Sequence, residues 1–467
     1  MKSIGRIHAL LAHYAPTCCV GVLAGGDVQN RIRAAIHATQ DSRSKRRDGP
    51  LHPVLVLWIV LCLPLYRATS IANVMVLVLA GWRGRLRGVP LRPVTDGALA
   101  HARGWLGVEP VRRLFEDMAC DVRPEPSFHG LRVWALDGVR TTVPDTPANE
   151  RRFGRPGSWR GRSAFPQMML VTLSSALTHE IRGAAWRPSR GAERLAALDL
   201  LELLGPGDLV VIDRGFFSLW LLARIQARGA DFLVRVPADV RPVSRRRRGQ
   251  GDCDVELRSR HLPKALRAPG SKPPRYVLQA RMIEYTLDAK ERIRLLTSLV
   301  DRSVTPLEIV SLYHERWEAE LGYDEIKTHL STVGHGTLHT VFRGRSPRMV
   351  EQEMWATLAL YNLVRRLIAR AAALHEIDPR RISFTDALVV IRQAVPEVER
   401  SEIRSLVPLY VRLMDDLGDC QMQRWRRQRR VARVVKVKMS NYRRKRPRDR
   451  CVEVAFLATL RFLDRAA

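Results

Sequence analysis

The stretch TPLEIVSLYHERWEAELGYDEIKTHL, residues 305–330, carries Tyr313, Arg316, Glu320 and Lys327 in the spacing Y-x2-R-x3-E-x6-K. Its apolar residues recur at helical intervals. At about 100° per residue the four polar ones fall within about 60° of each other around the axis. A carboxylate sharing a face with a phenol, a guanidinium and an ammonium can hold a divalent cation while its neighbours hold phosphate. The same residues also suit a solvated face with i,i+4 pairs such as Arg316 with Glu320. Asp324, one turn beyond Glu320, lies on the same face, and composition does not choose between them.

Upstream, two apolar runs each deliver an aspartate. In LRVWALDGVRTT, residues 133–136 read as a strand buried on both faces, with Asp137 and Gly138 at its end. In GDLVVIDRGF, residues 210–212 deliver Asp213 and then a glycine turn. QMMLVTLSSA, HEIRGAAWR, DFLVRV and RIRLLTSLV read as further strands, and GAERLAALDLLELLG and SLWLLARIQARG as helices. Acids at strand ends of an α/β sheet sit where ligands bind. Singly, Asp137 suits a turn and Asp213 a pair with Arg214. Three converging carboxylates would need compensation by two divalent ions about 3.5–4 Å apart. Hard oxygen ligands suit Mg²⁺ or Mn²⁺ and argue against zinc.

Lys and Arg number 78 against 47 Asp and Glu, a formal charge of +31. That excess points to a polyanion, nucleic acid before an anionic membrane surface or a ribosomal-type structural role. Apolar residues make up 46%, which excludes a chain disordered throughout. The seven cysteines are odd in number and form no C-x-x-C pair. A zinc ribbon and a disulfide framework are therefore not expected, and a reducing, cytoplasmic setting fits. Residues 54–63 are strongly apolar but bounded by Pro53 and Pro64. The run is too short for a bilayer and suits a buried helix.

Texture divides the chain. Residues 1–50 read as a weakly structured basic arm, and 51–125 as a helical DNA-binding domain. Within it, ALAHARGWLGVEPVRRLF gives two short helices about a glycine turn, compatible with a helix-turn-helix module or an ordinary bundle. Residues 126–240 and 291–400 form two parts of an α/β core. Between them, 241–290 read as an insertion: a basic loop with Arg245, Arg246, Arg247 and Arg248, then a few antiparallel strands. His335 and His339 have a possible metal spacing but lie among glycines and read as loop residues. Residues 401–467 read as a basic helical C-terminal region. Within it, 421–450 hold fourteen Lys or Arg against one acid, a one-signed excess that points to nucleic-acid contact.

These segments together resemble the DDE transposases of the insertion-element-four family. Tyr313, Arg316, Glu320 and Lys327 match its tyrosine-arginine-glutamate-lysine signature, and Asp213-Arg214-Gly215-Phe216 with Ser218 its second-acid motif. Asp137-Gly138 resembles its first-acid segment; Ser346-Pro347, Gln352-Glu353 and RVVKVKMSNYRRKRP fit as well. The resemblance runs from about residue 55 to 450. It implies a ribonuclease-H-like catalytic core interrupted by a β-rich insertion, after a helical N-terminal domain. It implies Asp137, Asp213 and Glu320 as catalytic residues and ligands of two Mg²⁺ (or Mn²⁺) ions, the register favouring Glu320 over Asp324. Tyr313, Arg316 and Lys327 match positions that contact end phosphates. Arg214 and Arg245–Arg248 are expected as further DNA contacts. The N-terminal domain of the family contacts transposon ends, which makes Arg103, Arg112 and Arg113 candidates too. Metal-dependent cleavage at transposon ends and strand transfer into target DNA are expected. So is a homodimer in a synaptic complex on double-stranded inverted repeats, in the bacterial cytoplasm at the nucleoid. A related metal-dependent nuclease and a catalytically decayed DNA-binding copy are the competing readings. Relatives stack a flipped base on a tryptophan of the insertion. This insertion has none, leaving Tyr276 and Tyr285 as candidates and a hairpin step open.

Overall fold

The computed structural model of the protein describes residues 28–39, 51–67, 69–83, 94–158, 161–189, 193–267, 270, 272–287, 291–316, 322–323, 325–326, 342–401, 405–422, 429–430, 434–435, 443–444, 446 and 454–463. They fall into two compact units, Met1–Leu203 with Trp317–Gln421, and Leu204–Arg316 with Met422–Ala467. Both combine helices with sheet, the α/β class expected.

Among the described residues, five helices come first: α1 (Val28–Thr39), α2 (Pro53–Cys62), α3 (Ile71–Arg83), α4 (Asp96–Leu106) and α5 (Glu109–Ala119). Next are β1 (Arg132–Thr142), α6 (Pro147–Phe153), β2 (Gln167–Ser175), β3 (Ile181–Pro188) and α7 (Glu193–Leu198). There follow β4 (Asp208–Ile212), α8 (Leu219–Ala227), β5 (Asp231–Arg235), β6 (Val243–Gly249), β7 (Asp252–Ser259), β8 (Tyr276–Leu287) and β9 (Glu291–Thr297). Last come α9 (Pro306–Glu315), α10 (Pro347–Leu374), α11 (Phe384–Arg400), α12 (Leu406–Asp419) and β10 (Leu460–Phe462).

The first unit is built on α2 and α10. Pro53 opens α2, where its missing N–H costs nothing, and the His52 ring accepts the Val54 N–H at 3.3 Å. All ten residues of α2 are buried, as its composition requires. The basic-arm reading of residues 1–50 fails for 28–39. Val28, Ile32 and Ala35, spaced i, i+4, i+7, bury one face of α1, and Trp58 donates to Gln29. Helices α4 and α5 join at Gly107, in the left-handed region at φ 77°. The α5 face of Val111, Leu114, Phe115 and Met118 is buried, with Phe115 and Trp355 of α10 at 5.3 Å between ring centroids. The Gln352 amide donates to the carbonyls of Arg103 at 2.7 Å and Gly107 at 2.5 Å, completing the end of α4. The glycine turn therefore serves a packed bundle. In the same unit β1 pairs antiparallel with β2, and β2 with β3.

The second unit begins with a β4–α8–β5 crossover whose strands are parallel. Antiparallel pairing then runs β5–β9–β8–β7–β6, and β10 adds to β8 with Tyr285 opposite Phe462. Strands β6, β7 and most of β8 fall within residues 241–290. The arginine run is not a loop, however: Arg245–Arg248 lie on β6, an irregular strand paired with β7. The helical expectation for the basic tail also differs from what is described. Helix α12 ends at Asp419, before the basic stretch, and its described pieces, 429–430, 434–435 and 443–444, are short strands. Valines in RVVKVK favour extended backbone. Among the described residues no helix is long and apolar enough to cross a membrane.

Candidate active site

Asp137 lies in the first unit, and not at a strand end. Strand β1 continues to Thr142, its ladder intact, with Asp137 opposite Thr172 and Gly138 opposite Val171. Gly138 reads in sequence as a break, but the glycine supplies room instead. A Cβ there would stand 2.0 Å from Glu193 Oε1. Asp137 Oδ1 accepts the Gly138 N–H at 2.8 Å. The Tyr323 hydroxyl donates to the Asp137 carbonyl at 2.6 Å and accepts the Thr172 N–H at 3.1 Å, with Thr172 Oγ1 at 2.8 Å. Burial pushes the Tyr323 phenol well above its ordinary range, and the charge of Asp137 adds to this, so it remains a donor.

Asp213 lies in the second unit, directly after β4, where the apolar run ends. The rest of its motif is structural. Phe216 and Phe217 are buried, and Ser218 precedes the first turn of α8. Arg214 is exposed. Helix α9 starts at a reciprocal cap between Thr305 and Glu308, with Pro306 in its first turn. That fixed start aims Tyr313, near its end, and Arg316, its C-terminal cap, at Asp213. The Tyr313 hydroxyl donates to Asp213 Oδ1 at 3.4 Å, and Arg316 Nη2 lies 3.8 Å from the same atom. Burial pushes the Tyr313 phenol up to about 12; Arg316 opposes the shift and Asp213 adds to it. Beside the site, Arg214, Arg235, Arg241, Arg292 and Arg294 line a cavity of about 330 Å³, with Glu284 the only acid among the described residues that line it.

The signature is thus assembled in part. Tyr313 and Arg316 meet Asp213, whereas Glu320, Asp324, Lys327, His335 and His339 lie outside the described residues. Helix α9 ends at Glu315, and of the four signature residues expected on one face through residue 330 only Tyr313 and Arg316 are described. Among the described residues no three His, Cys, Asp or Glu side chains form a metal-holding group.

Several DNA-contact expectations change. Arg103 is 1% exposed and pairs with Glu353 at 2.9 Å, because α4 packs it inward against α10; it does not offer a phosphate contact. Arg112 and Arg113 are exposed, Arg112 pairing with Glu109 at 2.9 Å and Glu116 at 3.6 Å. On β6, Arg245 meets Glu256 at 2.7 Å, while Arg246 and Arg248 share Asp254 at 3.1 and 2.6 Å. Tyr285 is fully buried, its hydroxyl 3.2 Å from the His314 ring, and cannot stack a base; Tyr276 is half-buried at the start of β8. Tyr323 and Glu193 escaped the sequence reading. One sits inside the signature stretch without belonging to its spacing, and the other reads as an ordinary helix start.

A family model described as the transposase DDE domain matches residues 129–363, and one for the insertion element 4 transposase N-terminal region matches 20–116. The likeness therefore begins well before residue 55. The transposase InsG for insertion sequence element IS4 of Escherichia coli (strain K12) is 31% identical over 357 residues, 75% of this chain and 78% of its own. A putative transposase InsZ of the same strain is 30% identical over 146 residues, 30% of this chain and 49% of its own. A solved piggyBac transposase synaptic complex with hairpin DNA aligns over 88% of this chain and 86% of its own, at 12% identity and a TM-score of 0.45. With two family models and a relative matched along most of its length, the chain belongs to the insertion-element-four family of DDE transposases, enzymes that cleave DNA and transfer its strands.

Proposed function

We propose that this transposase moves its element by cut and paste, with Asp137, Asp213 and Glu320 as the catalytic carboxylates in a ribonuclease-H-like core. Dependence on a divalent metal goes with the family. The finer reading is two Mg²⁺ or Mn²⁺ ions, which the hard oxygen donors of Asp137 and Asp213 suit. When bound, such ions activate the attacking oxygen and neutralise charge on the leaving one. The chain's own residues bind and orient. Arg316 and Lys327 hold phosphates flanking the cut, and Tyr313, kept protonated by burial, donates beside Asp213. Arg214 and Arg245–Arg248 add positive charge along the DNA path, as Arg112 and Arg113 do on α5. Water attacks the phosphorus at the element's end, releasing a 3′-hydroxyl and a 5′-phosphate. That 3′-hydroxyl then attacks a target phosphodiester and displaces a target 3′-oxygen. A homodimer brings two ends together, acting in the cytoplasm at the nucleoid.

The observation that carries the reading is the meeting of Tyr313 and Arg316 with the Asp213 carboxylate, in the signature's own spacing. The test is the purified protein on a supercoiled target with a duplex bearing the element's ends, with Mg²⁺ or with chelator. Metal-dependent joined products are expected. Cut ends without joining would reduce it to a nuclease, and binding without nicking to a decayed copy.

A further inference from the structure

The signature stretch contains one residue that its spacing ignores. Tyr323 follows Glu320 by three positions, and four positions before Glu320 stands Arg316. Arg316 lies against Asp213. Tyr323 reaches the other acid's strand: its hydroxyl donates to the Asp137 carbonyl at 2.6 Å. The same oxygen accepts the Thr172 N–H at 3.1 Å, and Thr172 is the register partner of Asp137 across β1 and β2. One phenol oxygen therefore holds facing backbone groups at the very residue pair that carries the first carboxylate. The ring is 7% exposed, so water does not substitute easily for the hydroxyl.

The segment's far side is gripped as well. Glu325 accepts from the Tyr361 hydroxyl at 2.8 Å and pairs with buried Arg365, which also meets His179 Nδ1 at 2.7 Å. Gly322 leaves room for Tyr361; a Cβ there would be 3.2 Å from its hydroxyl. The two grips differ in what they touch. Among the described residues, the hydrogen bonds of the Glu325 grip go to α10 and the turn before β3. The Tyr323 grip reaches the backbone of Asp137.

We infer that Tyr323 is a positioning residue of the cleavage site, its hydroxyl fixing the backbone from which the Asp137 carboxylate is aimed at the metal. The inference rests on the reading of Asp137 as a metal ligand. Residues that orient ligands in this way change metal affinity or activity by about 10–100-fold when altered.

The test compares Tyr323→Phe with Tyr361→Phe, which removes a buried hydroxyl from the other grip. Mn²⁺ binding to the DNA-bound full chain is followed by electron paramagnetic resonance, alongside the Mg²⁺ dependence of end nicking and the melting temperature. Tyr323→Phe should weaken Mn²⁺ binding and raise the half-maximal Mg²⁺ concentration by about 10–100-fold, with metal-free end binding unchanged. Tyr361→Phe should lower the melting temperature and leave both metal responses as in the wild type. Thr172→Val, which keeps the backbone N–H, should also respond as the wild type does. Unchanged metal responses in Tyr323→Phe, or the same shift in Tyr361→Phe, would overturn the inference. Failure of the underlying reading looks different: Asp137→Asn would then retain metal-dependent nicking.

Discussion

The Arg316 guanidinium stands 3.8 Å from the Asp213 carboxylate, with the arginine side chain 9% exposed and the aspartate 42%. The separation is longer than a charge-assisted hydrogen bond, so the pair is oriented without a bidentate lock. Arg316→Lys keeps the charge and loses the planar fork. End cleavage by that variant should fall by roughly 10–100-fold, and by Asp213→Asn on the order of 10³-fold or more. Gel-shift assays should show end binding retained in both. A fully active Arg316→Lys would reduce the signature arginine to a point charge.

Tyr313 links the site to alkaline stability. Its pKa is raised by burial from 10.0 to about 12. A raised value contributes stability that is complete below about pH 10 and disappears as pH climbs through about 12. Two pH units amount to roughly 3 kcal/mol. Urea midpoints measured across that window should fall less steeply for Tyr313→Phe than for the wild type. Parallel curves would mean the phenol is not held in its neutral form.

Arg103 separates structure from DNA contact. Removing it takes one charged partner from buried Glu353, which keeps the Arg343 N–H at 2.6 Å and the nearby charges of Arg67 and Arg343, at a cost of about 1.5–3 kcal/mol. Arg103→Ala should therefore lower the melting temperature sharply while the slope of log affinity against log salt stays unchanged. A phosphate contact would do the reverse, reducing the slope by about 0.9 with stability intact.

Gly138 tests the crowding at the first acid. An alanine there would meet the end of the Glu193 side chain, which can swing aside. Gly138→Ala should fold and should lose up to about 10²-fold in cleavage through misplacement of Asp137. Glu193→Ala in the same chain should restore most of it. Loss without rescue would assign the effect to backbone freedom instead.

The arginines of β6 are predicted to contribute modestly. Arg245, Arg246 and Arg248 already face Glu256 and Asp254. Replacing Arg245–Arg248 by serine should lower the salt slope by about 1–2, whereas four full phosphate contacts would remove about 3.6. Salt titrations of end binding would distinguish the two.

Some of this was legible in the sequence because the physics is local. The apolar run of β4 stops at Asp213, and a ten-residue apolar stretch between prolines can only be a buried helix. The capping signal of Thr305 and Glu308 marks the start of α9. What escaped depends on distant partners. Nothing near Arg103 announces Glu353, 250 residues away. Gly138 looked like a strand terminus because glycine usually signals a break; its actual role is to make room for Glu193. The arginine run of β6 looked like a loop because no single strand reveals the acids on its neighbour. Tyr323 was hidden in plain view, a tyrosine at helical spacing whose hydroxyl acquires meaning only once β1 and β2 are paired.

The pairing of β10 with β8 joins Leu460–Phe462 to Tyr285–Leu287. On the ribosome, β8 emerges long before its last neighbour has been synthesised. The second unit therefore stays incomplete until translation has passed residue 462, and a prematurely terminated chain would expose the hydrogen-bonding rim that β10 covers. Such fragments would be poor substitutes for the full-length protein and ready targets for proteolysis.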